Sequence, residues 1–262
     1  MFLVFYIFVF LLGLCIGSFL NCVVYRMELQ EDMPKGSPHR KAVSFLRGKS
    51  FCPHCRHSLS WPDLIPVFSF LLLKGKCRYC SKKISWQYPV VEISTALIFI
   101  CVTPGVTQIY LLLVSCLLII IFVYDLKHYI IPDKVLFPAI GIVFLEQLIF
   151  SFRFLDFNPL WAGLGACAFF LFFFLVSGGR WMGFGDVKLA FFMGLFLGFP
   201  NIVVALFLAF FLGAIIGVGL IIFGSKNLKS EVPFGPFLIT GTFIALFWGQ
   251  EIIQWYSHLF LF

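Results

Sequence analysis

The chain has 262 residues, of which 61% are hydrophobic and 12% charged, with a mean hydropathy of +1.02 and a formal net charge of +7. This is far more apolar than a soluble domain and indicates an integral membrane protein. The positive charge does not indicate nucleic acid, because the basic residues cluster in polar segments beside apolar ones.

A helix that crosses a bilayer needs about 20 apolar residues. The first such segment, 2–25, has no basic leading region and no small-x-small cleavage site, so it reads as a retained span and not a signal peptide. A polar region follows to about residue 86. Further apolar segments lie at 88–104, 106–124, 134–151, 160–177, 186–199, 201–223 and 235–256. Pro104-Gly105, Pro132-Asp133, Ser177-Gly178-Gly179 and Phe199-Pro200-Asn201 punctuate them. The expected fold is an all-α membrane bundle of about eight transmembrane helices, with a small polar insertion between the first and second. The segment 186–199 is short for a full crossing. Three parts follow: a first helix at 1–25, the insertion at 26–87 and the remaining spans at 88–262.

The Lys and Arg residues set the orientation. With the N-terminus outside and eight crossings, inside segments hold twelve bases in 26–83, together with Lys127, Lys134, Arg180, Lys188, Lys226 and Lys229. Only Arg153 falls outside. The excess of cytoplasmic bases supports that topology. It puts Asp125 and Asp186 at the cytoplasmic ends of their spans, at one membrane depth. The twelve bases read as a topology signal plus contact with anionic lipid headgroups, and no nucleic acid is expected.

The insertion carries Cys52-Pro53-His54-Cys55 and Cys77-Arg78-Tyr79-Cys80. Each C-x-x-C lets two thiolates grip one side of a tetrahedral ion, and the intervening loop brings the second pair round. Cys52, Cys55, Cys77 and Cys80 are therefore expected to hold a structural Zn²⁺. The alternative is two disulfides or four free thiols, and a cytoplasmic location argues against lasting disulfides. His54 and His57 read as solvated loop residues, because four cysteines fill the shell. Cys15, Cys22, Cys101, Cys116 and Cys167 lie in apolar segments and read as packing residues. Trp61, Trp86, Trp181 and Trp255 fall near the boundaries of apolar segments, where belt anchoring is the default.

Asp125 and Asp186 sit at the edges of apolar segments, and carboxylates there mark functional sites by default. Brought face to face, two such acids share one proton and divide the acid and base roles of peptide hydrolysis. Their other reading is a structural pair or helix caps. Lys188, two residues beyond Asp186, either biases the charge of the pair or snorkels to the interface. Asp133 follows Pro132 at the start of an apolar segment and reads as a favourable charge at a helix N-terminus. Glu92 is a second intramembrane acid. It either binds an amine or a charged methyl donor, or is a buried acid paired with a neighbouring backbone or polar group.

Asp125 followed by Ile131-Pro132-Asp133, and the run Gly183-Phe184-Gly185-Asp186-Val187-Lys188, resemble the two aspartate motifs of type IV prepilin peptidases. Gly17-Ser18-Phe19-Leu20-Asn21-Cys22-Val23-Val24-Tyr25-Arg26 is similar to that family's opening. Ile65-Pro66-Val67-Phe68-Ser69-Phe70-Leu71, Lys74-Gly75-Lys76-Cys77-Arg78-Tyr79-Cys80 and Tyr88-Pro89-Val90-Val91-Glu92 match its N-terminal domain; Leu64 departs from an Asn common there. The resemblance implies an aspartic endopeptidase of the bacterial inner membrane, with Asp125 and Asp186 as the catalytic dyad in a peptidase domain at 88–262. It implies cleavage of the leader of prepilins and pseudopilins on the cytoplasmic side. It further implies N-methylation of the new N-terminus from S-adenosylmethionine; Glu92, read from its position as an intramembrane acid, is the candidate cofactor-binding residue. A presenilin-like G-x-G-D protease with another substrate is one rival reading. A non-enzymatic ion pathway using the acidic pair is the other, and it would place the acids nearer the midplane.

Overall fold

The structure, a computed structural model, describes residues 2–33, 48, 50–102, 108–154, 156–223 and 232–260. Pro104-Gly105, Lys226 and Lys229, used above to delimit and orient the spans, lie outside the described residues. Among those described there are helices and no strand beyond two isolated bridges. The helices are α1 (Phe2–Asp32), the short α2 (Phe68–Leu72), α3 (Gln87–Cys101), α4 (Gln108–His128), α5 (Asp133–Phe154), α6 (Asn158–Ser177), α7 (Phe184–Leu197), α8 (Asn201–Ile222) and α9 (Gly235–Phe260). Among the described residues, each of the eight expected apolar segments corresponds to one helix, α3 and α7 being the short ones, and the polar insertion lies between α1 and α3 as anticipated. Five of them, α1, α4, α6, α8 and α9, are long and apolar enough to cross a membrane by length and composition. The chain divides into two compact units, Met1–Ile120 and Ile121–Phe262.

In the first unit α1 packs along α3. The contact is a backbone-to-backbone crossing at two glycines one turn apart. A Cβ on Gly13 would lie 2.6 Å from Ala96 Cα, and one on Gly17 would lie 2.7 Å from Glu92 Cα. Helices in lipid associate through such small-residue seams, because burial of apolar surface provides no driving force there. Polar clasps finish the seam. Asn21 Nδ2 donates to the Tyr88 carbonyl at 3.2 Å, and Gln87 Nε2 donates to Asn21 Oδ1 at 3.3 Å. Arg26 donates to the Gly48 carbonyl at 2.7 Å, tying the insertion to the end of α1.

The second unit is built around α7. Nine of its fourteen residues are buried, from Asp186 to Phe196. At 1.5 Å per residue α7 is about 21 Å long, shorter than a hydrocarbon core of about 30 Å. It packs on α5, α6, α8 and α9. The segment that looked too short for a crossing is therefore the most buried helix of the second unit among the described residues. Gly194 and Gly163 bring α7 and α6 together, with a Cβ on Gly194 only 2.5 Å from Gly163 Cα. Asn158 closes the far end: its Nδ2 donates to the Phe199 carbonyl at 3.0 Å and its Oδ1 accepts the Phe199 N–H at 2.7 Å.

Gly194→Ala gains helix propensity but drives a methyl into backbone that has nowhere to go. We expect a net loss of about 1–3 kcal/mol, as for overpacked cores. Gly217→Ala in α8 meets nothing within 4 Å and should be neutral or slightly stabilising. Thermal unfolding of the two variants in one detergent distinguishes them; equal melting temperatures would remove the crossing from the account.

Candidate active site and metal centre

Apolar sequence ends at residue 124, but α4 continues to His128, so Asp125 sits within its last turn and is 3% exposed. The helix stops at Tyr129, whose φ of 58° reverses the chain. Ile130-Ile131-Pro132 then leads into α5. Asp186 is the third residue of α7 and is 8% exposed. Its Oδ2 accepts the Gly183 N–H at 3.2 Å, so the carboxylate caps its own helix where the backbone N–H groups are unpaired.

These two acids, 61 positions apart in sequence, come together within the second unit, near enough for the charge of Asp125 to act on Asp186. Two glycines complete the site. The Gly235 N–H at the start of α9 bonds to Asp125, and a Cβ on Gly235 would collide with Asp125 Oδ2. A Cβ on Gly185 would lie 3.1 Å from Ile131, whose side chain also reaches Gly235. Ile131 thus packs between the two glycines beside the acids. The sequence reading missed Gly235. Its signal was Pro233-Phe234-Gly235-Pro236, a turn-forming run at the head of the last apolar segment. On the reading of Asp125 as half of an acid–base pair, Gly235→Ala should displace its carboxylate and lower turnover at least tenfold with the helices intact, as expected when a reacting group is misplaced by about 1 Å. Full turnover in that variant would show that Gly235 does not position Asp125.

Lys188 and Asp133 form an ion pair, with the ammonium 5.3 Å from the Phe137 ring centre and 5.5 Å from that of Phe184. Neither sequence reading of Lys188 supplied this partner. Asp133 begins α5, at the helix N-terminus expected for it. Glu92 is 5% exposed in α3, and its Oε2 accepts the Val67 N–H at 2.7 Å. The Ser18 hydroxyl also bonds to it. The carboxylate therefore has backbone and polar partners, which is one of the two arrangements anticipated for it.

The four cysteines of the insertion converge, with all Sγ atoms within 4.8 Å of one another. Tetrahedral Zn–S bonds of about 2.3 Å place sulfurs about 3.8 Å apart, and Cys52 and Cys80 already stand at 3.9 Å. The two halves share one local design. Cys52 N–H donates to the His57 carbonyl at 3.0 Å and Arg56 N–H to the Cys52 carbonyl at 2.9 Å; Cys77 N–H donates to Lys82 at 2.8 Å and Ser81 N–H to Cys77 at 2.9 Å. Antiparallel bridges Phe51–Ser58 and Lys76–Lys83 close each turn, and Arg56 and Ser81 both take φ of 57°.

Burial opposes ionisation of Cys52, but hydrogen bonds from the Cys55 and His54 backbone and from the Cys77 and Cys55 thiols outweigh it and lower its pKa to about 7. Cys80 accepts a backbone bond from Lys82, yet burial and its bonds to the other three sulfurs push it up to about 11. Four thiolate donors at this spacing fit a divalent cation, which binds them with loss of their protons. His57 stacks on Tyr79, ring centres 3.7 Å apart, and belongs to no cluster of metal-binding groups among the described residues. A second network braces the module. Asp63 accepts from Arg78 Nε at 2.7 Å and from Ser60 Oγ at 2.8 Å. Its burial disfavours charge, but these bonds and the Arg78 charge hold its carboxyl below the usual range.

Residues 11–104 match the bacterial peptidase A24 N-terminal domain, and residues 112–218 match the type IV leader peptidase family. A prepilin leader peptidase/N-methyltransferase of Aeromonas hydrophila is 33% identical over 276 residues, covering 97% of this chain and 94% of that protein. The chain belongs to the type IV leader peptidase family. Other members with the same description are 31% identical in Pseudomonas aeruginosa, covering 94% of this chain and 91% of that protein, and 32% identical in Bacillus subtilis, covering 96% and 98%. No solved structure matches. The leader peptidase match contains both Asp125 and Asp186, and the N-terminal match contains the four cysteines and Glu92.

Proposed function

We propose that this chain is a membrane aspartic endopeptidase that removes the leader from type IV prepilins or pseudopilins, and that it methylates the N-terminus so exposed. The observation that carries the reading is the pair of buried acids, Asp125 and Asp186, with Asp125 near enough for its charge to act on Asp186, in a chain of this family. One ionised carboxylate takes a proton from water while its protonated partner donates to the scissile carbonyl oxygen. As water attacks, the C–O bond forms and the carbonyl oxygen gains the donated proton. Collapse then breaks the C–N bond, and a proton passes to the leaving amine. Both acids lie beside helix ends, where a cut preceding an apolar substrate helix would occur.

The orientation in this reading has the N-terminus outside, with the insertion and the dyad facing the cytoplasm. We assign peptidase work to 88–262, the part that contains both acids. Four cysteines with the donor set and spacing of a zinc site would hold a structural Zn²⁺, leaving no open ligand position for catalysis. Methyl transfer would use S-adenosylmethionine, which supplies a methyl on a sulfonium; this chain must hold the substrate amine in line with it. We assign Glu92 to this second activity through the loop it holds at Val67.

Mass spectrometry of the mature pilin N-terminus reads both steps. The host is a strain lacking its own leader peptidase, expressing this chain with a prepilin. Cleaved and methylated pilin is expected from the native chain. Glu92→Ala frees the Val67 N–H and should lower the methylated fraction at least tenfold while cleavage changes less. Uncut prepilin with the native chain would remove the proposed activity. Complete methylation with Glu92→Ala would remove Glu92 from it.

A further inference from the structure

We propose that the insertion between α1 and α3 is itself a membrane-surface element: α2 and the turn before it lie in the interfacial zone of the bilayer and engage anionic lipid headgroups. The turn Trp61–Leu64 and α2 pack together. Trp61 and Leu64, three apart on a tight helix, share a face, as do Phe68, Leu71 and Leu72 on α2. All five side chains are exposed, with Trp61 at 78% and Leu72 at 79%. Trp86 is exposed beside them and packs on Phe70, ring centres 4.9 Å apart. A polar insertion has no reason to leave this many large apolar side chains in water.

Depth and charge identify what covers them. The Val67 N–H, immediately before α2, is bonded to Glu92, the sixth residue of α3. At 1.5 Å per residue that is about 7–9 Å beyond the start of an apolar helix. The loop is therefore held level with the first turns of α3. That is the depth at which interfacial helices bury an apolar face, about 5–10 Å into the boundary of headgroups and chains. Lys74, Lys76, Lys82 and Lys83 follow α2 and are exposed. Bases beside an apolar face at that level match anionic headgroups and do not match an apolar partner helix. Tryptophans are the side chains suited to the boundary itself.

The experiment uses the full chain in vesicles of phosphatidylcholine and phosphatidylglycerol. In one variant the other five tryptophans are Phe, leaving Trp61. Lipid brominated near the headgroup should quench its emission by about half or more, and aqueous iodide should quench it weakly, as for an interfacial ring. In a second, otherwise native chain, a photo-crosslinking benzoylphenylalanine at Leu72 should give lipid adducts that increase with the phosphatidylglycerol fraction. Strong iodide quenching with no effect of brominated lipid would overturn the proposal, because the patch would then be in water. Protection from both quenchers, or crosslinks to protein at Leu72, would also overturn it and assign the face to another segment, a second copy or a substrate. The proposal does not depend on peptidase activity, so loss of activity in either variant leaves it standing.

Discussion

Asp125→Asn and Asp186→Asn will each reduce leader cleavage at least about a thousandfold, with expression and membrane insertion unchanged. An amide is close in size to a carboxyl but neither takes a proton from water nor donates one as an acid. General acid–base work is worth about 10²–10⁴ in rate, and loss of either member of a shared-proton pair leaves its partner without the complementary role. The fold should survive, because an amide oxygen at position 186 still accepts the Gly183 N–H that the carboxylate now accepts. Asp133→Asn is the control. That acid is 54% exposed and pairs with Lys188 at the surface, where ion pairs contribute about 0–1 kcal/mol, so cleavage should fall less than about tenfold. The assay is the mobility shift of a co-expressed prepilin. Normal processing by either dyad variant would falsify the aspartic mechanism, whatever the behaviour of Asp133.

Protein purified without chelators should contain about one zinc per chain, and Cys77→Ser should contain none. Cys77 is 7% exposed and anchors the second knuckle through its backbone as well as its thiol. Structural zinc contributes apparent free energies of about 10–16 kcal/mol in isolated zinc modules, more than an insertion of this size can replace by packing. Loss of the ion should therefore open the segment from residue 50 to residue 86 to proteases while the helices of the second unit stay intact. Elemental analysis and limited proteolysis measure the two effects. Metal-free native protein with a protease-resistant insertion would mean that the thiols and the Asp63–Arg78 network suffice on their own.

The bundle was legible because hydropathy responds to runs of about 20 apolar residues, and each run gave one helix. The cysteine module was legible because its spacing constrains the ligands directly. Helix ends were less so. Apolar sequence stops at residue 124, whereas Leu126 and Lys127 are good helix formers and carry α4 past Asp125. The partners of the acids were not legible at all. Gly235 meets Asp125, Val67 meets Glu92 and Asp133 meets Lys188 across separations that no local pattern encodes. The central place of α7 was hidden for a different reason. A helix surrounded by protein and one facing lipid are equally apolar, so composition does not tell them apart.

The cap that Asp186 provides for its own helix also fixes which of its oxygens is available for chemistry. Oδ2 is committed to the Gly183 amide and faces a donor, so a proton placed there would weaken that bond. On the proposed mechanism, the proton shared with Asp125 should therefore sit on Oδ1. The first turn of α7 in this way makes the two oxygens of one carboxylate unequal before any substrate arrives.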